Sequence, residues 1–211
     1  MPKQTFKAVA VTGDVVASSQ LNAAERKKLQ DRIDSFSILF TKEFPDFKLQ
    51  QYRGDSLQAL LTKNRVQALG MALKLQCFLM MDNFQIRLAI GIGEINYEGK
   101  DVITSDGTAL QQSGPLVDEL KKRNELIAVT AANSTFAAEW QVHSASLNFL
   151  LQKLSPAQAE ALYLHLQNTK QEDIAKALNI SQPSVHQRLQ AAGAQVFTRI
   201  IQRFESTVQL L

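Results

Sequence analysis

Two Gly-Asp pairs carry the first chemistry in this sequence. Gly13-Asp14 closes an apolar run that begins at Phe6, and Gly54-Asp55 separates two further strand-like runs. In a β-α-β-β order the first and third strands are usually neighbours, so both carboxylates can converge at one sheet edge. Like charges placed together repel, and a divalent cation between them removes the repulsion. The glycines let a bulky anion approach the backbone, and Val15 to Ser19 offer amides and hydroxyls to phosphates. Asp14 and Asp55 are therefore candidate metal ligands, with Gly13, Val15, Ser18 and Gly54 as candidate nucleotide contacts. Mg²⁺ or Mn²⁺ with a nucleoside triphosphate suits that set. An alternative stays open: Asp is ordinary in hairpin turns, and Asp14 can cap a turn before Ser18-Ser19 with no ligand at all.

A second chemistry lies between residues 155 and 192, which read as a helix-turn-helix. Ser155-Pro156-Ala157-Gln158 and Thr169-Lys170-Gln171-Glu172 are capping boxes, in which side chains satisfy the orphan amides of a helix start. Asn179 stands where the chain must turn left-handed, a conformation Asn tolerates better than other residues with a side chain. Ser181 can cap the next helix, and Pro183 suits its first turn. Val185 and Leu189 give that helix a buried stripe. The faces left over carry amides, hydroxyls and an arginine, the groups that read base edges and phosphates in a major groove. Gln171, Gln182, Ser184, Gln187 and Arg188 are the candidate DNA contacts. An ordinary helical hairpin without a DNA role is the competing reading.

The elements needed to hold these residues are visible as periodicities. Phe6–Val11 reads as a buried strand, and Asn22-Ala23-Ala24-Glu25 opens a helix to Glu43 with Leu29, Ile33, Phe36 and Phe40 on one face. Phe47–Arg53 and Ser56–Leu61 form a hairpin, Asn64–Met81 a helix, Phe84–Ile95 a long strand, Gly107–Arg123 a helix and Leu126–Val129 a short strand. That order predicts an α+β sheet layer with helices against one face. Residues 133–152 are the junction. With no Pro/Gly/Ser linker there, the two modules, 1–145 and 146–211, are expected to dock closely.

Bulk properties exclude several classes. The chain of 211 residues has 45% apolar and 20% charged residues, normal for a globular protein. No apolar run approaches a membrane span, and the start lacks a signal-peptide core, so a cytoplasmic protein is expected. Cys77 is the one cysteine and sits in an apolar helical run, which makes it core. A net charge of +3 is thin for a monomer gripping phosphates. Phe197, Ile201, Phe204, Val208 and Leu211 follow an a/d heptad spacing, and a homodimer through that stripe is one expectation; packing against the chain's own helices is the other.

The segments "VAVTGDVVASSQL", "YRGDSLQALL", "IRLAIGIGEI" and "SDGTALQQSG" together resemble the SatD family of bacterial proteins, over most of the chain. More distantly they are similar to class III nucleotidyl cyclases and GGDEF-type domains. The stretch from Leu154 to Gly193 resembles the helix-turn-helix of sigma-factor region four. The resemblance implies a ferredoxin-like, nucleotidyl-cyclase-like sheet domain followed by an all-α helix-turn-helix domain. In the cyclases, an Asp ending the first strand and an Asp in the hairpin hold two metal ions around a triphosphate. The matching positions here are Asp14 and Asp55. The chain departs from the cyclases where an Asn and an Arg orient ribose and stabilise the transition state: Gly107 to Ser113 holds neither. A DNA-binding transcriptional regulator with a nucleotide-sensing or degenerate cyclase-like domain is the leading expectation. A metal-dependent nucleotidyl cyclase or nucleotidyltransferase is the second, and a protein-interaction module the third. Whether the chain turns over substrate is left open.

Overall fold

The computed structural model describes residues 6–52, 54–96, 102 and 105–211. Five strands form one sheet in the order β2-β3-β1-β4-β5: β1 (Phe6–Val15), β2 (Lys48–Tyr52), β3 (Ser56–Leu61), β4 (Ile86–Ile95) and β5 (Ile127–Ala131). Among the described strands, β4 and β5 pair in parallel and the other pairs are antiparallel. The first and third strands are neighbours, as the β-α-β-β order predicts. β1 runs on to Val15 rather than stopping at Val11, because Thr12, Gly13 and Asp14 pair with β3 on one side and β4 on the other. Two-sided pairing overrides a local turn signal. Gly13 is a packing position: a Cβ there would lie 2.8 Å from Cδ1 of Leu57 and 2.9 Å from Cδ2 of Leu88.

Helices cover both faces of the sheet, not one. On the first face lie α1 (Ala23–Glu43) and α2 (Ala68–Met80), packed over Val9, Val11 and Val15. α1 begins with the expected capping box, Asn22 Oδ1 accepting from the Glu25 amide at 3.0 Å and Glu25 Oε2 from the Asn22 amide at 2.9 Å. It buries Leu29, Ile33, Phe36 and Phe40. α2 starts later than the periodicity suggests, because residues 65–67 form a 3₁₀ turn. Cys77 is fully buried in it, and burial pushes the thiol pKa up to about 12.

The second face is covered by α3 (Thr108–Arg123), which sits on small side chains: Ala8 and Ala10 of β1, Ala89 of β4. The glycines of β4 permit the closest approach. A Cβ on Gly91 would stand 2.3 Å from the Ala109 carbonyl oxygen and 2.7 Å from the Ser113 amide. Gly91→Ala must lift the helix off the strand, at a cost of about 1–3 kcal/mol for overpacking. Urea denaturation measures it; an unchanged midpoint would show that α3 is not seated there.

α4 (Ser134–Leu151) starts at Asn133, whose Oδ1 accepts from the Phe136 amide at 2.9 Å. It lies along the open edge of β5. Asn148 Oδ1 accepts from the amides of Leu126 at 2.6 Å and Ile127 at 3.0 Å, and its Nδ2 donates to the Ile127 carbonyl at 2.8 Å. Ser144 Oγ accepts from the Val129 amide at 3.2 Å. These side chains close an edge that would otherwise template association. α4 also runs unbroken across position 145/146.

Four helices follow: α5 (Pro156–Leu166), α6 (Gln171–Leu178), α7 (Gln182–Ala192) and α8 (Ala194–Leu210). They share one apolar core with the sheet. Phe78 of α2 meets Tyr163 of α5 at 5.3 Å between ring centroids, and Trp140 of α4 meets Phe204 of α8 edge-on at 5.2 Å. Close docking is what the missing linker predicts. The stripe on α8 is consumed by this core: Phe197, Phe204 and Val208 are fully buried, and Ile201 and Leu211 pack partly buried against it. Most of the heptad stripe is therefore used in intramolecular packing.

Candidate functional site

Both Gly-Asp pairs lie at one end of the sheet. Asp14 is opposite Ser56 on β3 and opposite Arg87 on β4, and the Val15 amide donates to the Asp55 carbonyl at 3.1 Å. The hairpin turns through Gly54, whose φ of 79° suits glycine. Asp55 Oδ2 accepts from the Ser18 hydroxyl at 2.5 Å. The Val16 amide donates to the Gln85 carbonyl at 2.9 Å. Two amides expected to face a phosphate, those of Val15 and Val16, are thus spent on the protein's own carbonyls.

Arg87 is the residue that sequence reading missed. Its Nη1 donates to Asp14 Oδ2 at 3.2 Å, with side chains only 10% and 18% exposed. Its Nε is buried and has no partner among the described residues. A buried guanidinium nitrogen without an acceptor is under-satisfied. Asp14, Asp55 and Arg87 are thus two acids and one base at the same end of the sheet; among the described residues no group of three or more His, Cys, Asp or Glu side chains is placed to hold a metal ion. The signal in the sequence was an arginine in the apolar run "IRLAIGIGEI"; its partner depends on strand register, which the sequence does not state.

The start of α3 is tied down. Thr108 Oγ1 accepts from the Glu94 amide at 2.8 Å, and the Thr12 and Ser113 hydroxyls bond at 2.8 Å. The stretch that lacks the cyclases' Asn and Arg is used to fasten the helix to the sheet.

The helix-turn-helix forms with one change. Ser155 and Gln158 make the predicted capping box. Thr169 does not: α6 begins one residue later than the T-x-x-E pattern implies, with Lys170 at its N-cap and no side-chain cap bond. Asn179 is left-handed, φ 51° and ψ 46°, and the Ile180 amide reaches back to the Ala175 carbonyl at 3.0 Å. Ser181 Oγ accepts from the Ser184 amide at 3.3 Å and bonds the Ser184 hydroxyl at 2.8 Å. Val185 and Leu189 are buried, and Gln182, His186, Gln187 and Gln190 are exposed. Gln171 is half-buried at the start of α6. Arg188 turns back onto α5, 3.7 Å from Glu160 Oε2 and 3.5 Å from the Ala157 carbonyl. Of the five candidate DNA contacts, Gln182 and Gln187 are exposed with no side-chain hydrogen-bond partner among the described residues, Ser184 belongs to the cap, Gln171 is half-buried, and Arg188 lies beside Glu160.

Among solved structures, a bacterial light-regulated adenylyl cyclase is similar at 17% identity, covering 60% of this chain and 77% of that one, with a TM-score of 0.47. The guanylyl cyclase Cya2 is 12% identical over 62% of this chain and 77% of its own, TM-score 0.43. The active GGEEF domain of a diguanylate cyclase from Vibrio cholerae is 11% identical over 61% and 85%, TM-score 0.43. No curated protein matches the sequence. The SatD family model matches residues 8–208, spanning the sheet and the helix-turn-helix alike. This chain belongs to the SatD family.

Proposed function

We propose that the protein is a DNA-binding transcriptional regulator whose sheet domain responds to a nucleotide. One observation carries the DNA reading: α7 is anchored by Val185 and Leu189 behind the left-handed Asn179, and it presents Gln182, His186, Gln187 and Gln190 to solvent. Amide side chains at the start of such a helix are suited to adenine edges in a major groove. With a net charge of +3, a single copy makes few phosphate contacts, so we propose binding as two copies on adjacent half-sites. Selection from a pool of random duplexes tests the reading. It should enrich one sequence, and Gln187→Ala should weaken binding to that sequence by about 1–3 kcal/mol, the worth of one bidentate base contact. A pool with no enriched sequence would contradict it.

The sheet end is proposed as the nucleotide site. Asp14 and Asp55 would hold Mg²⁺ or Mn²⁺, which neutralises phosphate charge, and the Arg87 guanidinium beside Asp14 would add positive charge for phosphate oxygens. Binding is favoured over turnover because Thr108 to Ser113 fasten α3 to the sheet. Mn²⁺ with ATP or GTP is expected to raise the melting temperature by mass action. Asp55→Asn should abolish that rise. It is a cleaner variant than Asp14→Asn, which also strips Arg87 of its counterion and lowers stability by itself. A full rise in Asp55→Asn would rule out the site.

A further inference from the structure

We infer that the cleft between the sheet domain and the helix-turn-helix binds a small zwitterion of the amino-acid class. The cleft has a volume of about 730 Å³, within the range of small-molecule sites, and such sites favour the seam between two packed units. One wall is formed by the end of α1 and by α2, the other by the α5–α6 turn and α8. Charges of both signs line it: Lys74 from α2, Glu43 from α1, Glu205 from α8 and Lys170 from the turn.

Lys74 is the informative group. It is half-buried, and it makes no hydrogen bond and no ion pair within 4 Å among the described residues. Its ammonium lies over the Phe40 ring, 5.4 Å from the centroid. Burial pulls its pKa below the ordinary lysine value, while Glu43 and Glu205 act in the opposite sense without touching it. An ammonium left in that state wants an acceptor. A carboxylate from a ligand supplies one. The ligand's own ammonium then belongs with Glu43 and Glu205, which would repel a polyanion and so exclude a nucleoside triphosphate from this cleft. The remaining lining mixes polar groups, Gln67, Asn168, Gln202 and the Thr198 hydroxyl, which bonds His165 at 3.3 Å, with the apolar Phe44, Leu166 and Ile201. Such a wall suits an amino-acid side chain that has both apolar and polar parts. The inference stands on the cleft alone and is independent of DNA binding and of the Asp14–Asp55 end.

The test is the melting temperature of the full chain with each of the twenty common amino acids, and with acetate and methylamine as single-charge controls. At least one amino acid should raise it by about 5 °C or more near saturation, and neither control should. By calorimetry, Lys74→Gln and Glu205→Gln should each cut that affinity at least tenfold, with both variants folded by circular dichroism. Glu205→Gln, at the partly exposed rim, decides if Lys74→Gln fails to fold. No stabilising amino acid, equal stabilisation by acetate, or unchanged affinity in Glu205→Gln would overturn the inference.

Discussion

Trp140→Ala is expected to destabilise the protein by about 3–5 kcal/mol and to melt sheet and helices together. Trp140 has no exposed surface, stacks on Phe136 at 5.6 Å, and meets His143 at 5.0 Å and Phe204 edge-on at 5.2 Å. It is the joint between α4, which edges the sheet, and α8, which backs the helix-turn-helix. A loss of that size is a large share of the about 5–15 kcal/mol that holds a typical domain folded. Circular dichroism should show one cooperative transition at a lower temperature. Because the indole Nε1 has no hydrogen-bond partner among the described residues, Trp140→Phe should cost much less. A helical transition surviving after the sheet has melted would show that the modules do not share a core.

Asn148→Ala should have a comparable effect by a different route. Truncation strands the amides of Leu126 and Ile127 and the carbonyl of Ile127 together. Each buried group left unpaired costs about 1–3 kcal/mol, and a total of several follows. Hydrogen exchange at the two amides should accelerate with the loss of protection, and the opened edge of β5 should promote association at high concentration. Unchanged exchange at Leu126 and Ile127 would show that α4 does not guard the strand.

Local signals in this sequence were readable because they depend on neighbours a few residues apart. The Asn22 and Ser155 capping boxes, the apolar face of α1 and the left-handed Asn179 are all of that kind. Features fixed by register or by long-range packing were not. The Asp14–Arg87 pair exists only because β1 and β4 align with those residues opposite each other, 73 positions apart in the chain. An a/d stripe looks the same whether its partner is a second copy or the chain's own Trp140 and α2. Arg188 has the spacing of a groove contact, and its nearness to Glu160 on another helix is not visible in that spacing. The small residues of β1 and β4 lie under α3, and that a helix approaches on this second face became clear only from the fold.

The central claim is that α7 reads DNA sequence, and the most direct measurement is fluorescence anisotropy of the selected duplex against a scrambled one, with the parent and the Gln182→Ala/Gln187→Ala variant. The parent should prefer the selected duplex by about a thousandfold or more at physiological salt, as specific binders do. The variant should lose at least tenfold of that preference while its weak affinity for scrambled DNA, which rests on phosphates, stays the same. Equal binding of both duplexes by the parent, or a variant that keeps the full preference, would contradict the account.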